Sequence, residues 1–197
     1  SAPLIVSNAD AGHTYDRLLR DRPRRRWTSA RLRRTRWSMS LFVWYFVTRR
    51  RFEDVPHHTI LLGPRYRELL RDIFDKKILA PDFSLYLHRP TATDPSLAPP
   101  GCATFYVLSP VPNLDGNVDW TREAEPYRRR IAQFLDATVL PGFEADVISS
   151  RITTPPLNAQ QADAVLAVLN GHADGAPHVL YGPPGTGKTL TVVEAAR

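Results

Sequence analysis

Ser40-Leu41-Phe42-Val43-Trp44-Tyr45-Phe46-Val47 decides how the chain is read. These eight residues are almost all β-branched or aromatic, and they are too few for a helix of ordinary length. Such side chains pack well on a pleated surface, so the run is expected to be a strand. Working outward, residues 58–62 read as a second strand that Gly63-Pro64 closes, and residues 83–87, 104–109 and 146–150 read as three more. A proline-rich loop, residues 90–101, separates two of them. Residues 66–74 place Leu69, Leu70, Ile73 and Phe74 at helical spacing. In residues 120–139 the apolar positions Ile131, Phe134 and Leu135 form one stripe, and Pro141-Gly142 ends the helix. Toward the start, residues 3–7 look like a buried strand turning at Asn8-Ala9-Asp10, with a helix over residues 14–20. The pattern is mixed α/β (α+β).

With 43% hydrophobic and 23% charged residues, the 197-residue chain has an ordinary globular composition. No run approaches the roughly 18 apolar residues of a membrane span, and the first residues, opening at Ser1, lack the basic and apolar regions of a signal peptide. Because it opens at Ser1 and not at Met, the chain reads as a processed or excised piece. Cys102 is the single cysteine, which excludes an internal disulfide and a cysteine-clustered zinc site and suits a reducing, cytoplasmic setting.

The net charge of +6 is concentrated. Residues 17–51 hold thirteen arginines and one acid, Asp21. Arg24, Arg25, Arg26, Arg33, Arg34 and Arg36, with Trp27 and Trp37 beside them, form a candidate basic patch for nucleic-acid phosphates or an anionic membrane surface. The same residues also suit a solvated arginine-rich loop or helix face.

The character of the sequence changes near Thr154-Pro155-Pro156. Beyond it, residues 178–181 read as a strand, Gly182-Pro183-Pro184-Gly185-Thr186-Gly187-Lys188-Thr189 as a glycine-rich loop, and residues 190–197 as a helix. That order suits a phosphate-binding loop, in which backbone N–H groups converge on a phosphate at the positive end of a helix. Lys188 would neutralise the β and γ oxygens of ATP, and Thr189 would offer its hydroxyl to Mg²⁺. Hydrolysis also needs an acidic Mg²⁺ ligand, a residue that orients water and an arginine, all of which are expected downstream of such a loop.

Residues 157–165, Leu157-Asn158-Ala159-Gln160-Gln161-Ala162-Asp163-Ala164-Val165, together with the loop, resemble superfamily 1 RNA helicases of the nonsense-mediated-decay and Armitage type. The resemblance implies that Gln161 reads adenine and that residues 157–197 open an incomplete P-loop NTPase strand-loop-helix.

Residues 1 to about 155 resemble an internal stretch of bacterial-type phytoene desaturases, flavoproteins of carotenoid biosynthesis. The resemblance rests on Val6 to Asp10, Ser38 to Phe46, His57-His58-Thr59-Ile60, Gly63 to Leu69, Asp82 to His88, Thr93 to Pro99 and Tyr106 to Pro112. It implies part of the FAD and substrate domains of a flavin amine-oxidase-like fold, with FAD as cofactor and a carotenoid precursor at a membrane surface as partner. The G-x-G-x-x-G turn that holds the FAD pyrophosphate in that family is not in this sequence. Two readings follow: a fragment of an FAD-dependent oxidoreductase, inactive as it stands, or an ATP-binding helicase fragment with the basic segment on nucleic acid. A binding or structural module that keeps both motifs as relics is a third.

Overall fold

The computed structural model describes residue 12 and residues 14–155. The chain divides into a unit of residues 1–37 and 157–197 and a unit of residues 38–156. The expected strand at residues 3–7 and everything expected after Pro155 lie outside the described residues, so Gln161 and the loop from Gly182 to Thr189 do as well.

In the first unit Thr14–Leu18 form one π-helical turn, shorter than the helix expected over residues 14–20. Helix α1, Ser29–Arg34, lies inside the arginine-rich segment, and the Thr28 hydroxyl accepts from the Arg31 N–H at its start, as a threonine N-cap does. Six residues make less than two turns, too few for an apolar period to stand out in the sequence.

The second unit is built on one sheet. Strands β1 (Ser40–Thr48), β2 (His58–Leu61), β3 (Leu85–His88), β4 (Ala103–Val111) and β5 (Val147–Thr153) lie in the order β2-β3-β4-β1-β5. Every pairing is antiparallel. Two helices accompany it, α2 (Tyr66–Arg71) and α3 (Trp120–Thr138).

Successive side chains of a strand point to opposite faces. On β1 this sends Phe42, Trp44 and Phe46 to one side, where the register sets them against Ser109, Val107 and Phe105 of β4. Leu85 and Leu87 of β3 extend the same layer, and Tyr127, Ile131 and Leu135 of α3 belong to the same cluster, all of them buried. The three helix positions recur at a spacing of four, one face of a 3.6-residue helix. Aromatic contacts tie the layer together: Phe42 meets Tyr127 edge-on at 5.0 Å and Phe46 stacks on Phe105 at 5.2 Å. The buried Tyr127 hydroxyl pairs with Ser109 Oγ at 2.7 Å, so neither polar atom is stranded.

Local chemistry sets the ends of α3. The Asp119 carboxylate accepts from the Thr121 N–H at its start. Past its end Gly142 adopts φ 71 and donates its N–H to Asp136 Oδ1 at 2.8 Å. Pro126, inside the helix, removes the N–H that would reach the carbonyl of Arg122. Both residues are exposed, on the helix side that faces solvent.

Several boundaries differ from the sequence reading, three of them for reasons visible in the packing. β3 begins at Leu85, two residues late, because the chain before it is held by the end of β2. There Gly63 donates its N–H to Ser84 Oγ at 3.0 Å, and a Cβ on Gly63 would stand 2.5 Å from the carbonyl oxygen of Phe83. The helix expected over residues 66–74 becomes α2 followed by a π-helical turn, Asp72–Lys76, where buried Asp72 meets Lys76 at 2.6 Å and Arg65 at 3.4 Å. β5 starts later than expected, since Asp146 belongs to the short 3₁₀ turn Phe143–Asp146, and runs on to Thr153 against Val43.

Leu135→Ala removes a fully buried side chain from the helix–sheet layer and is expected to lower unfolding free energy by about 2–5 kcal/mol in a denaturant titration. Gly63→Ala is expected to cost about 1–3 kcal/mol in the same assay, because backbone, not a flexible side chain, stands where the methyl must go.

Candidate functional site

The face of the sheet opposite α3 carries the candidate site. The register places one residue of each strand in a single row: Arg151 of β5 opposite Tyr45 of β1, Tyr45 opposite Tyr106 of β4, Tyr106 opposite His88 of β3, and His88 opposite His58 of β2. Beside it run Val43, Leu108, Tyr86 and Ile60, also in register. The rings touch along the row. Tyr45 and Tyr106 have centroids 5.8 Å apart, Tyr86 and Tyr106 6.0 Å, and His88 meets Tyr106 edge-on at 4.5 Å.

Most of these side chains are half-buried, and burial changes their acidity. Desolvation pushes Tyr45 up to about 12, with Tyr106 adding to the shift and Arg151 opposing it. Tyr106 is likewise pushed up to about 12, first by desolvation and then by Tyr86. His88 is brought down to about 4 by desolvation and by the neighbouring His57 and His58, so at neutral pH it is uncharged. Arg151 is the one cation of the row, at its β5 end. An apolar, aromatic and weakly hydrated strip of this kind suits contact with a hydrocarbon or a flat conjugated system.

At the β2 end the strip becomes polar. His57, His58 and His88 cluster with ring centroids 4.3–5.0 Å apart. His58 Nδ1 lies 2.6 Å from the Tyr86 hydroxyl, and His57 Nδ1 is hydrogen-bonded to the Thr93 hydroxyl. The sequence reading took His58 as part of a strand and His57 to Ile60 as part of a resemblance; the missing signal was the pairing of β2 with β3, which brings His88 across from thirty residues away.

Among the sequence-predicted basic positions, Arg25, Arg26, Arg33, Arg34 and Arg36 are exposed. Arg24 is half-buried and turned inward: its guanidinium donates to the Tyr15 carbonyl and, at 2.8 Å, to Ser29 Oγ. Its charge is therefore used to fold the segment. Trp27 is engaged too, stacked on Tyr15 at 5.7 Å with the Arg31 guanidinium 4.9 Å over its ring. Elsewhere, a cleft of about 660 Å³ lies between Lys76–Leu79 and residues 115–119, with Lys77 and Asp115 paired at 3.0 Å on its wall.

An all-antiparallel sheet with a helix on one face and an aromatic strip on the other is not a nucleotide-binding βαβ unit. Comparison with known proteins places it more closely. No protein-family model matches the chain. It is 54% identical over 159 residues to the neurosporene-forming phytoene desaturase of Rhodobacter capsulatus, a match covering 78% of this chain and 30% of that protein. It is 50% identical over 153 residues to the lycopene-forming phytoene desaturase of Pseudescherichia vulneris, covering 77% and 31%. With the lycopene-forming enzyme of a Paracoccus species it is 44% identical over 186 residues, covering 90% of the chain and 37% of the relative. The chain is homologous to a stretch of phytoene desaturases and spans about a third of the length of these relatives.

The Paracoccus match covers 90% of this chain, so it extends past residue 156. Neither the described fold nor these matches supports a helicase, ATP or Mg²⁺ reading of Gln161 and Gly182 to Thr189.

Tyrosine ionisation reads the hydration of the strip. With Tyr127 also pushed up to about 12 by burial, an ultraviolet pH titration is expected to show a late phase near pH 12. Tyr45→Phe, Tyr106→Phe and Tyr127→Phe should each reduce it by about a third. The native state keeps protons that the unfolded chain releases near pH 10, so these groups add stability below pH 10 that is lost as pH rises toward 12.

Proposed function

We propose that residues 38–155 form the substrate-facing sheet of a flavin-dependent carotenoid desaturase, with the Tyr45–Tyr106–His88 row as the floor on which a phytoene-like polyene lies. The observation that carries this is the continuous, desolvated aromatic strip on the face away from α3, in a chain homologous to phytoene desaturases. Its chemical part is binding. Flat rings and the aliphatic Leu108 and Ile60 offer dispersion contact along an extended hydrocarbon. The strip has no carboxylate, and its one cation, Arg151, stands at the β5 end, away from the tyrosine and histidine rings of the other strands.

FAD would be the hydride acceptor in such an enzyme, but the described residues do not fit it. They contain no parallel βαβ unit and no glycine-rich turn at a helix N-terminus to cradle a pyrophosphate. No redox step is assigned to them.

The exposed arginines Arg25, Arg26, Arg33, Arg34 and Arg36 serve, in this reading, as an electrostatic contact with an anionic membrane surface from which a lipid-soluble substrate is drawn. Trp27 is already stacked on Tyr15, so the contact is one of charge more than of insertion. Nucleic acid is the competing partner for the same charges.

The test of the floor is an exchange. Residues 38–155 replace the matching stretch of the Rhodobacter capsulatus desaturase, and coloured product is measured in cells supplied with phytoene. Product is expected from the exchange protein, and Tyr106→Lys within it should raise KM at least about tenfold, since a charge against hydrocarbon costs more than the 1.4 kcal/mol of one decade. A folded, flavin-loaded exchange protein that makes no product, or a Tyr106→Lys variant with unaltered KM, would overturn the reading. For the surface contact, the chain is expected to float with phosphatidylserine vesicles in low salt and to release in high salt. Changing Arg25, Arg26, Arg33 and Arg34 together to Ala should abolish flotation.

A further inference from the structure

The histidine cluster at the β2 end of the strip has a chemistry of its own. Three imidazoles converge, and one ring nitrogen from each lies within 4.8 Å of one from each of the others. The Nε2 atoms of His57 and His88 are only 2.6 Å apart. Two imidazole nitrogens at that separation share a single proton, one donating and one accepting. The other nitrogen of His57 is fixed by Thr93 and that of His58 by the Tyr86 hydroxyl, which leaves Nε2 of both rings for the common space. His88 adds an unsatisfied atom, its buried Nδ1.

Position supports the same conclusion. His57 lies just before β2, where its carbonyl accepts from the Arg89 N–H, so it is not bound to the strict alternation of a strand. Its ring turns to the side that His58 and His88 share. Hydroxyl partners on the far nitrogens of two rings are the kind of outer contact that fixes the tautomer and orientation of metal-bound histidine.

We propose that His57, His58 and His88 form a binding site for a borderline divalent transition ion such as Zn²⁺, with the fourth position open to solvent at the exposed side of His58. Three neutral imidazoles and no carboxylate select Zn²⁺, Ni²⁺ or Cu²⁺ over Mg²⁺ or Ca²⁺, which take oxygen ligands. Tetrahedral zinc with nitrogen ligands at about 2.0–2.1 Å sets neighbouring nitrogens roughly 3.3 Å apart. The His57–His88 pair therefore opens by less than about 1 Å as the ion takes the place of the shared proton. The bound ion clamps the edge strand β2 to β3. This inference does not depend on what the aromatic strip binds.

The experiment uses the full 197-residue chain, stripped with chelator and shown by circular dichroism to be folded, titrated calorimetrically with Zn²⁺ and separately with Mg²⁺. One equivalent of Zn²⁺ is expected to bind in a step that His58→Ala and His88→Ala each weaken by at least tenfold. Tyr86→Phe, which keeps all three ligands, should weaken it by about tenfold through the lost orientation of His58. Amide exchange at residues 58–61 should slow on zinc addition in the wild type and stay unchanged in His88→Ala. Zinc binding that is the same in the wild type and in the folded His58→Ala/His88→Ala double variant would overturn the proposal. So would the absence of zinc binding to the folded wild type, or Mg²⁺ binding with comparable affinity.

Discussion

The pairing of β1 with β4 is the constraint on which the rest of this protein depends. Nine residues of each strand are in register, and because side chains alternate, that single register decides the content of both faces at once. It puts Phe42, Trp44 and Phe46 under α3 and, with no further choice, puts Val43, Tyr45 and Val47 on the other side. A slip of one residue would exchange the two sets, leaving tyrosine hydroxyls against Ile131 and Leu135 with nothing to bond. Core and candidate site are two aspects of one hydrogen-bonded ladder.

The helix side is secured by contacts that reach past α3 itself. Arg128 lies 5.1 Å over the Trp44 ring, which is buried in the sheet, while its guanidinium also meets Glu125 at 2.8 Å and Glu144 at 3.3 Å. One side chain thus joins the helix, the central layer and the 3₁₀ turn that leads into β5. Trp44 is held from its other side as well, by the indole N–H that donates to Ser150 Oγ of β5 at 2.7 Å. On the site side the rings are held by one another and by the strands beneath them.

Much of this was legible from the residues. The run from Ser40 to Val47 announced a strand because nearly every residue in it favours one, and the stripe of Ile131, Phe134 and Leu135 announced the long helix because burial on one side demands that period. The candidate site was not legible in the same way. Tyr45, Tyr106, His88 and His58 are spread over sixty residues, and only the strand order β2-β3-β4-β1-β5 brings them into one row. Helix α1 was missed because its stability comes from a Thr28 cap and its arginines are indifferent to conformation. The two-residue delay of β3 came from Gly63 pressing on Phe83, a contact between segments twenty residues apart. The glycine-rich loop from Gly182 to Thr189 lies outside the described residues, and the desaturase matches give no support to a helicase reading of it.

The placement of β2 at the margin of the sheet has a consequence for how the molecule behaves in company. Only four residues long, with Ile60 and Leu62 largely exposed beside it, it presents an outer row of main-chain groups beside greasy side chains. That is the arrangement from which proteins recruit stray strands and begin to form fibrils. Its brevity and the sharp exit at Gly63-Pro64 keep the recruiting length small, because a proline just past the end denies an incoming chain a further partner. A variant that lengthened this margin by even two residues would gain sheet and lose solubility.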